Sequence, residues 1–566
     1  MARKDGGRRG PRGSLPEEPV PGRPPSASPW AALEVRVFLA LWVAATVSNV
    51  GTWVQDVGEV WLMTSLTISP LLIALVETAT TFPVFAFAIP AGAFADVVDR
   101  RLFLLAAQGW EFGIAVVMLA MALAGAMSPA ILLLLIVMIS MGTAFTAPAF
   151  NAILPELVGP SRLPSAVTLT GISINVARAV GPALGGLLVA LGGPAATFAL
   201  NAVSFAGVLV VLYRWKRPAT GGTLPPEDVV GAMRVGVRYV RHAPEMRVLL
   251  ARVFGFALPA SALFALLPVL ARIEMRLEAP QYGLLLGSLG VGAIAGALAL
   301  PRLRVRVPID QLAAAGAVLF AGMLAVLAAS RTVAPIAVAV FLAGFAWMSV
   351  LVTLGIGAQT VVPGWVRARA LAVYLLVFQG GYAAGAFLWG ALASLFGVSI
   401  SLALAAGLLV VGTAVVTRYR LSAGAGLDLT PSLHWPQPIL EGVTVEDIER
   451  TPAKVTVEYR VEPARAEEFA LAMDEMRRIR LRDGALRWDL AHDAAEPGVL
   501  VESFDVESWT EHLRQHDRFT VSDRRVEERI QRFHLGPDPP LARHFLIHTA
   551  PPRPPRKTRG KRSRKY

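Results

Sequence analysis

The chain has 566 residues, of which 54% are hydrophobic and 17% are charged, and its mean hydropathy is +0.55. Soluble domains carry roughly 25% charged residues, so this composition excludes an ordinary soluble protein and places most of the chain in lipid. The net charge of +12 reflects arginines in tails and short loops, which favours lipid headgroups over nucleic acid as partners. No cysteine occurs, which excludes disulfides and thiolate metal sites.

Residues 1–34 are rich in Arg, Pro and Gly and predict a disordered basic cytoplasmic tail without a cleavable signal peptide. Apolar stretches about the length of a membrane-spanning helix then recur with short breaks. We predict twelve spans, at residues 37–63, 71–93, 102–124, 131–152, 167–189, 196–213, 248–270, 282–300, 311–329, 336–358, 371–395 and 399–417.

The segment 218–247 divides these spans into two six-helix halves, residues 35–217 and 248–420. Within it, Met233–Arg241 places Val and Tyr opposite its arginines, which predicts an amphipathic helix at the inner membrane surface. The turns assigned to the cytoplasm hold most of the loop arginines, whereas the opposite turns hold only Arg272, Arg276 and Arg331. Both termini are therefore predicted to be cytoplasmic.

A charged hairpin follows the second span and reads Gly92-Ala-Phe-Ala-Asp96-Val-Val-Asp99-Arg100-Arg101. Its glycine, the aspartate four residues on and the basic pair resemble the loop signature of the major facilitator superfamily. Val97 and Asp99 depart from it, standing where a cation and a glycine are usual. An ordinary stop-transfer turn is the alternative. The resemblance implies a cytoplasmic gate, in which Asp96 faces Arg369 at the start of the eleventh span.

The fifth span contains Gly181, Pro182, Gly185 and Gly186. Proline removes a helix hydrogen bond and glycines permit close helix approach, so a bendable, tightly packed helix is predicted. The pattern resembles the Gly-Pro-x-x-Gly-Gly part of the antiporter motif of drug-exporting superfamily members, although Thr168 and Ala177 replace its upstream glycines. A generic close-packing kink is the alternative.

Arg178 lies near the middle of this span, where an unpaired cation is costly. Candidate partners are Asp56 and Glu59 in the first span, Glu77 in the second and Glu111 in the third. A carboxylate in a partly dry cavity can carry a proton, so this set is the predicted coupling site. Static ion pairing, or exposure in an outer vestibule, is the alternative. Polar residues that could line a cavity, but are more typical of packing, are Trp53, Gln55, Asn175, Asn201, Gln359 and Gln379.

A linker at 421–452 precedes a predicted soluble domain at 453–548. Strand and helix patterns follow the order β-α-β-β-α-β, which is the ferredoxin-like arrangement, with one helix over residues 507–533. The segment Trp509–His516 resembles antibiotic-biosynthesis monooxygenase-like domains, which implies possible self-association. His512 and His516 have metal-pair spacing, but charged neighbours favour a solvated face, and we predict no metal. Residues 549–566 predict a second disordered basic tail.

Bundle and tail domain together resemble the secretion-effector branch of the major facilitator superfamily, related to siderophore exporters of the enterobactin type. This resemblance implies export of a small molecule across the bacterial inner membrane by proton antiport and alternating access. No Gly-Lys-Ser/Thr phosphate loop occurs, which argues against an ATPase. We expect neither a cofactor nor enzymatic activity. The alternatives are an uncoupled facilitator, an importer, or a membrane-tethered enzyme acting through residues 453–548.

Overall fold

The structure, a computed structural model, describes residues 28, 30–97, 99–159, 161–215, 229–419, 427–435 and 451–547, without the side chains of residues 88, 89, 92–97 and 229–233. Most of both predicted tails, most of the linker and the side chains of Gly92 and Asp96 therefore lie outside the described residues. The predicted first tail extends too far, because Ala31–Glu34 form a 3-10 turn in which the Ala32 amide donates to Ser165 Oγ at 3.1 Å.

Long apolar helices follow this turn. The first five are α1 (Arg36–Leu66), α2 (Pro70–Val97), α3 (Arg100–Leu123), α4 (Pro129–Val158) and α5 (Leu163–Arg214). A shorter helix, α6 (Val229–His242), comes next, followed by α7 (Pro244–Pro268), which continues as a π-helical turn through Val269–Glu274. The remaining ones are α8 (Ala279–Arg306), α9 (Ile309–Ala329), α10 (Val333–Thr360), α11 (Arg367–Phe396) and α12 (Val398–Val416).

Within the described residues, eleven helices are long and apolar enough to cross a membrane, against twelve predicted spans. The difference lies in α5, whose 52 residues would extend roughly 78 Å if straight, far beyond a hydrocarbon core of about 30 Å. Its backbone leaves helical geometry at Gly193, where φ is 69°, and two helices meet there. Glycine adopts this left-handed conformation at little steric cost, and Pro194 suits the first turn of the second helix.

Helix α6 confirms that the segment between the halves is helical, but protein covers more of it than the predicted surface location implies. Tyr239 is buried and donates its hydroxyl hydrogen to the Val361 carbonyl at 3.1 Å. Arg238 pairs with Glu511 of the C-terminal region at 3.1 Å. The helix therefore packs between the bundle and that region.

The C-terminal region contains four strands and three helices. These are β1 (Ala453–Arg460), α13 (Ala466–Asp483), β2 (Ala485–His492), β3 (Val499–Val506), α14 (Trp509–Arg518), α15 (Val521–Gln531) and β4 (Leu541–Leu546). The strands form an antiparallel sheet in the order β2-β3-β1-β4. Alternate β1 residues are buried, and α13 packs Phe469, Met473 and Met476 into the same core.

The single helix predicted over residues 507–533 is wrong, because α14 and α15 are separate. Phe519 has extended backbone angles and ends α14. Thr520 begins α15 with a capping box, in which its Oγ1 accepts from the Asp523 amide at 3.2 Å and its own amide donates to Asp523 Oδ2 at 2.8 Å. The capping residues satisfy amides that a continuous helix would have used internally.

Candidate functional site

A cavity of about 330 Å³ lies between the first six and the last six predicted spans; we call it the central cavity. Its polar groups include an acidic set from α1 and α2, with Arg178 on α5. Its opposite wall is largely aromatic. The lining includes Trp53, Asp56, Glu59, Glu77, Thr80, Thr81, Arg178, Phe264, Tyr282, Trp347, Phe378, Gln379 and Tyr382. The structure thus brings together four of the five predicted coupling residues.

The acidic set is held by neighbouring polar groups. Glu59 is only 2% exposed and accepts a hydrogen bond from Gln55 Nε2 at 2.7 Å. The Gln55 amide oxygen accepts in turn from Asn201 Nδ2, also at 2.7 Å. Gln55 and Asn201, which the sequence assigns to packing, therefore fix the orientation of Glu59. Tyr382, which the sequence analysis did not select, lies beside Glu77.

The predicted ion pair of Arg178 is not formed in this structure. Among the described residues, no carboxylate oxygen lies within 4.0 Å of its guanidinium, which instead lies over the Trp53 ring at 5.6 Å from the centroid. The packing of α1 against α5 explains the difference. A Cβ on Gly181 would lie 2.4 Å from Trp53 Cβ, so the missing side chain brings Trp53 close to α5 and beside Arg178.

Glu111 does not line the central cavity, so the predicted coupling set divides in two. Glu111 is 2% exposed and accepts hydrogen bonds from Gln108 on the same helix, α3, and from Thr146 on α4. Its closeness to α4 depends on Gly142, where an added Cβ would lie 2.5 Å from Glu111 Cγ. Glu111 therefore belongs to the packed interior of the first half.

The aromatic wall comes from the second half. Trp347 contacts Phe264 with ring centroids 5.1 Å apart and Tyr382 at 5.9 Å. Phe378 stacks on Tyr382 at 6.0 Å. Three helices, α7, α10 and α11, contribute these rings. Residues so distant in sequence form no local motif, which is why sequence reasoning missed the wall.

The Gly-Pro-x-x-Gly-Gly segment lies at the boundary between the two halves. A Cβ on Gly186 would lie 2.5 Å from the Ala279 carbonyl oxygen of α8, and one on Gly283 would lie 2.6 Å from the Pro182 carbonyl oxygen. On another face, a Cβ on Gly185 would lie 2.9 Å from Val57 Cβ of α1. The glycines thus allow α5 to contact α1 and α8 at backbone distance.

A second contact between the halves joins α2 to α11. The Leu71 amide donates to Ser394 Oγ at 3.0 Å, and Thr78 Oγ1 donates to the Ala383 carbonyl at 3.3 Å. These residues, like Gly186 and Ala279, lie toward the ends of the helices farthest from the C-terminal sheet. The side of the bundle that carries the sheet is called the domain side below. The contacts join the two halves on the opposite side of the bundle.

The charged hairpin is built into the first half. Asp99 caps α3, accepting from the Arg101 and Leu102 amides at 3.0 Å. Arg100 pairs with Glu156 of α4 at 2.8 Å, and Arg101 donates to the carbonyl oxygens of two residues that end α5. These contacts fasten α3 to its neighbours. Arg369 lies in the first turn of α11, and its backbone approaches Gly236 of α6.

The C-terminal histidines do not form the solvated face that we expected. His512 is 3% exposed, and its ring lies 4.8 Å from that of His516 and 4.9 Å from that of His544. Burial lowers the pKa of His512 to about 3 and that of His516 to about 4, so both are neutral at pH 7. Within the described ranges, no group of three or more His, Asp or Glu side chains has metal-binding geometry. His492 is exposed, and His534 accepts from the Arg460 amide.

The amino-acid sequence matches a known protein family. The family model described as "Transmembrane secretion effector" matches residues 27–552. The enterobactin exporter EntS of Salmonella typhi is 28% identical over 327 residues, which cover 56% of this chain and 75% of that protein. EntS of Citrobacter koseri is 29% identical over 266 residues, covering 46% and 62%.

Solved transporter structures share the fold of the bundle. A bacterial homologue of the human lysosomal transporter Spinster, in an inward-facing conformation, superposes with a TM-score of 0.55 at 15% identity, covering 69% of this chain and 97% of that one. A bacterial homologue of the iron transporter ferroportin, also inward-facing, gives 0.53 at 18% identity, covering 68% and 99%.

Proposed function

Because this chain belongs to the transmembrane secretion effector family of the major facilitator superfamily, we propose that it exports a small molecule across the bacterial inner membrane by alternating access. The central cavity is the observation that carries this proposal. It lies between two helical halves and has both polar and aromatic walls, and α5–α8 and α2–α11 contacts join the halves on the side opposite the domain. Substrate would then enter the central cavity from the domain side.

The lining favours a substrate with an aromatic body and hydrogen-bond donors or a positive charge. Asp56, Glu59 and Glu77 supply carboxylate acceptors, while Trp347 and Phe378 supply flat apolar faces. Aromatic rings attract cations as well as stacking on other rings. Enterobactin, which the relatives named above export, is a second candidate.

Proton antiport is the proposed energy source. Asp56 and Glu59 lie one helical turn apart and share the cavity with Glu77. Arg178 is the cationic side chain in the same lining, so the carboxyl groups outnumber the positive charges available to neutralise them. Binding of a cationic substrate and binding of protons would neutralise the same groups, which makes the two mutually exclusive. An uncoupled facilitator or an importer would use the same cavity without this competition.

We also propose that the domain side is cytoplasmic, that α5 forms two spans and that the bundle has twelve. The domain-side turns contain most of the loop arginines, which supports cytoplasmic termini. The C-terminal strand order and its helices support a ferredoxin-like fold for residues 453–548. The hairpin residues Gly92, Asp96 and Asp99 to Arg101 would form a gate with Arg369. For the two bundle halves we keep the boundaries predicted from the sequence, whereas the first tail ends before Ala31 and part of the predicted linker packs on the C-terminal region, where the Asp428 amide donates to Ser522 Oγ.

Inverted membrane vesicles test export. Ethidium, an aromatic cation, and enterobactin are supplied outside energised vesicles that contain the protein. We expect accumulation of at least one of them, and we expect an uncoupler to abolish it. Vesicles with Gly186→Leu protein at the same level serve as the inactive control, because leucine cannot fit against Ala279.

The outcomes separate the alternatives. Accumulation that an uncoupler does not change would exclude proton antiport and indicate a facilitator. Efflux from preloaded inverted vesicles would indicate an importer. Full accumulation by the Gly186→Leu protein would show that the closed α5–α8 contact has no role in transport.

A further inference from the structure

A second polar cavity lies within the first half, bounded by α1, α3, α4 and α5, with a volume of about 230 Å³. Its lining shares no residue with the central cavity and includes no charged side chain. Eight residues with hydroxyl or amide side chains line it, namely Ser48, Asn49, Gln108, Thr143, Thr146, Asn151, Thr170 and Ser173. Because Trp42 and Leu212 also line it, near the domain-side ends of α1 and α5, the cavity lies toward the domain side.

The carboxyl group of Glu111 lies behind this lining. It accepts hydrogen bonds from Gln108 Nε2 and from Thr146 Oγ1, the latter at 3.3 Å, and both donors are neutral. Thr143, one turn before Thr146, also faces it. The acidic residues of α1, Asp56 and Glu59, line the central cavity instead. An ionised Glu111 would therefore be a buried negative charge without a cation at membrane depth, which is costly.

Gln108 provides an independent indication of a ligand. It is 5% exposed and lines the cavity, and its Oε1 has no hydrogen-bond partner. A buried acceptor without a donor is destabilising, because it has lost its hydrogen bonds to water without replacement. The cavity is polar, and its volume exceeds several times the roughly 30 Å³ that a water molecule occupies. Water in the cavity would supply the missing donor and reach the partners of Glu111.

We propose that this cavity, with Glu111, is a second proton-binding site, separate from the central cavity. A hydronium ion in the cavity transfers its proton to the Glu111 carboxylate, leaving water and a neutral carboxylic acid. The site loads from the domain side, so its protonation does not require the halves to separate. Its assignment to transport coupling rests on the proposed export function, but proton binding does not.

Infrared difference spectroscopy of the full-length protein in lipid, after a pH step, measures this directly. We expect Glu111→Gln to remove a carboxylic acid band and to reduce proton uptake by a single proton per chain. Glu59→Gln is the matched control and should remove a different band. Thr146→Val retains the carboxyl group and should shift the Glu111 band without removing it, which keeps the test informative if Glu111→Gln protein does not fold.

Two results would overturn the proposal. A Glu111→Gln spectrum that overlays that of the native protein would show that Glu111 does not exchange protons. A change produced by adding sodium at constant pH, and absent without sodium, would assign the site to that cation. Since neither measurement involves a transported molecule, failure here is distinguishable from failure of the export experiment.

The junction between the C-terminal domain and the bundle carries a second inference. Glu511 of α14 pairs with Arg238 of α6 at 3.1 Å and with Arg518 at 2.5 Å. The Arg518 guanidinium also lies 4.6 Å from the centroid of the Trp365 ring, in the turn between α10 and α11. All three charged residues have side chains that are at most 15% exposed, so the junction is largely dry.

Helix α6 extends this junction to the start of α11. A Cβ on Gly236 would lie 3.1 Å from Arg369 Cβ and 3.3 Å from its carbonyl oxygen. The domain therefore contacts the domain-side end of α11 both through α6 and through Trp365. We infer that the docked domain holds this end of α11 in place and stabilises the arrangement in which the halves are joined on the opposite side of the bundle.

Charge reversal tests this contact in the full-length protein. We expect Glu511→Lys to increase hydrogen exchange at residues 361–370 by at least tenfold, and we expect added Arg238→Glu to restore protection partly. Arg524→Glu, in an exposed pair on α15, is the control and should leave exchange unchanged. Unchanged exchange in Glu511→Lys protein whose sheet remains protected would overturn the inference.

Discussion

Both the helical bundle and the C-terminal domain bury carboxylates, but the domain surrounds them with arginines, whereas the first half of the bundle does not. In the domain, Glu502 is fully buried and pairs with Arg480 at 3.1 Å. Arg482 likewise joins Asp483 and Asp523, each at 2.7 Å. These pairs hold strands and helices together.

In the bundle, Asp56, Glu59 and Glu77 share a cavity, and no arginine or lysine lies within 4.0 Å of them among the described residues. The second half of the bundle resembles the domain, because Arg252 pairs with Asp310 at 2.9 Å. Carboxylates that are buried without a cation do not add stability. The lack of a stabilising partner supports the proposed role of these carboxylates in binding and coupling.

The largest expected effect is on coupling. Glu59→Gln keeps the hydrogen bond to Gln55 but removes a titratable group, so uptake into inverted vesicles should fall to simple equilibration and should no longer respond to an uncoupler. The thermal stability of the protein should be unchanged or higher. Asp310→Asn is the matched control and should lower stability while preserving uncoupler sensitivity. If both variants lost stability equally, the comparison between paired and unpaired acids would be wrong.

The next effect is on the stability of the domain. Glu502→Gln leaves Arg480 buried without a charged partner, which should cost about 3–5 kcal/mol. Hydrogen exchange of β1 and β3 in the full-length protein measures this loss. Replacing both residues, as Arg480→Met with Glu502→Leu, should recover most of it. If Glu502→Gln protein kept native protection from hydrogen exchange, Trp435 and Phe504, which lie over Arg480, would be sufficient to stabilise the charge of Arg480.

A smaller, pH-dependent effect should come from the buried histidines. Burial lowers the pKa of His512 from its ordinary value near 6.5 to about 3. The unfolded chain therefore binds a proton that the folded domain excludes, and stability should fall as the pH drops from about 6.5 toward 3, by about 1.4 kcal/mol per unit. Stability measured by exchange along this pH series should depend less steeply on pH in His512→Phe protein, in which His516 maintains part of the slope. His492→Phe, at an exposed position, should not change the slope.

The smallest effect concerns Arg178 and Trp53. Their cation–π contact is worth about 0.5–2 kcal/mol, so Trp53→Leu should weaken ethidium binding by roughly thirtyfold at most, whereas Trp53→Phe should retain most of it. Fluorescence titration of purified protein measures both. An unchanged affinity in Trp53→Leu protein would show that Arg178 is held by other contacts.

The sequence determined the features that depend on local chemistry. Apolar length placed the spans, because a helix that crosses hydrocarbon needs about twenty consecutive apolar residues whatever its neighbours are. Glycine and proline at 181–186 predicted a closely packed helix, since the absence of a side chain is a property of each residue. The order of strands and helices in the C-terminal domain followed from local strand and helix patterns.

Tertiary structure alone decided which distant side chains meet. Arg178 contacts Trp53 in place of an acid, because Gly181 brings α1 close at that level. Glu111 was grouped with the other acids by residue type, yet helix rotation directs it between α3 and α4. The polar cavity beside Glu111 forms only where four helices, α1, α3, α4 and α5, pack together. Composition and periodicity show which face of a helix is apolar. They do not show which residues of a neighbouring helix pack against that face.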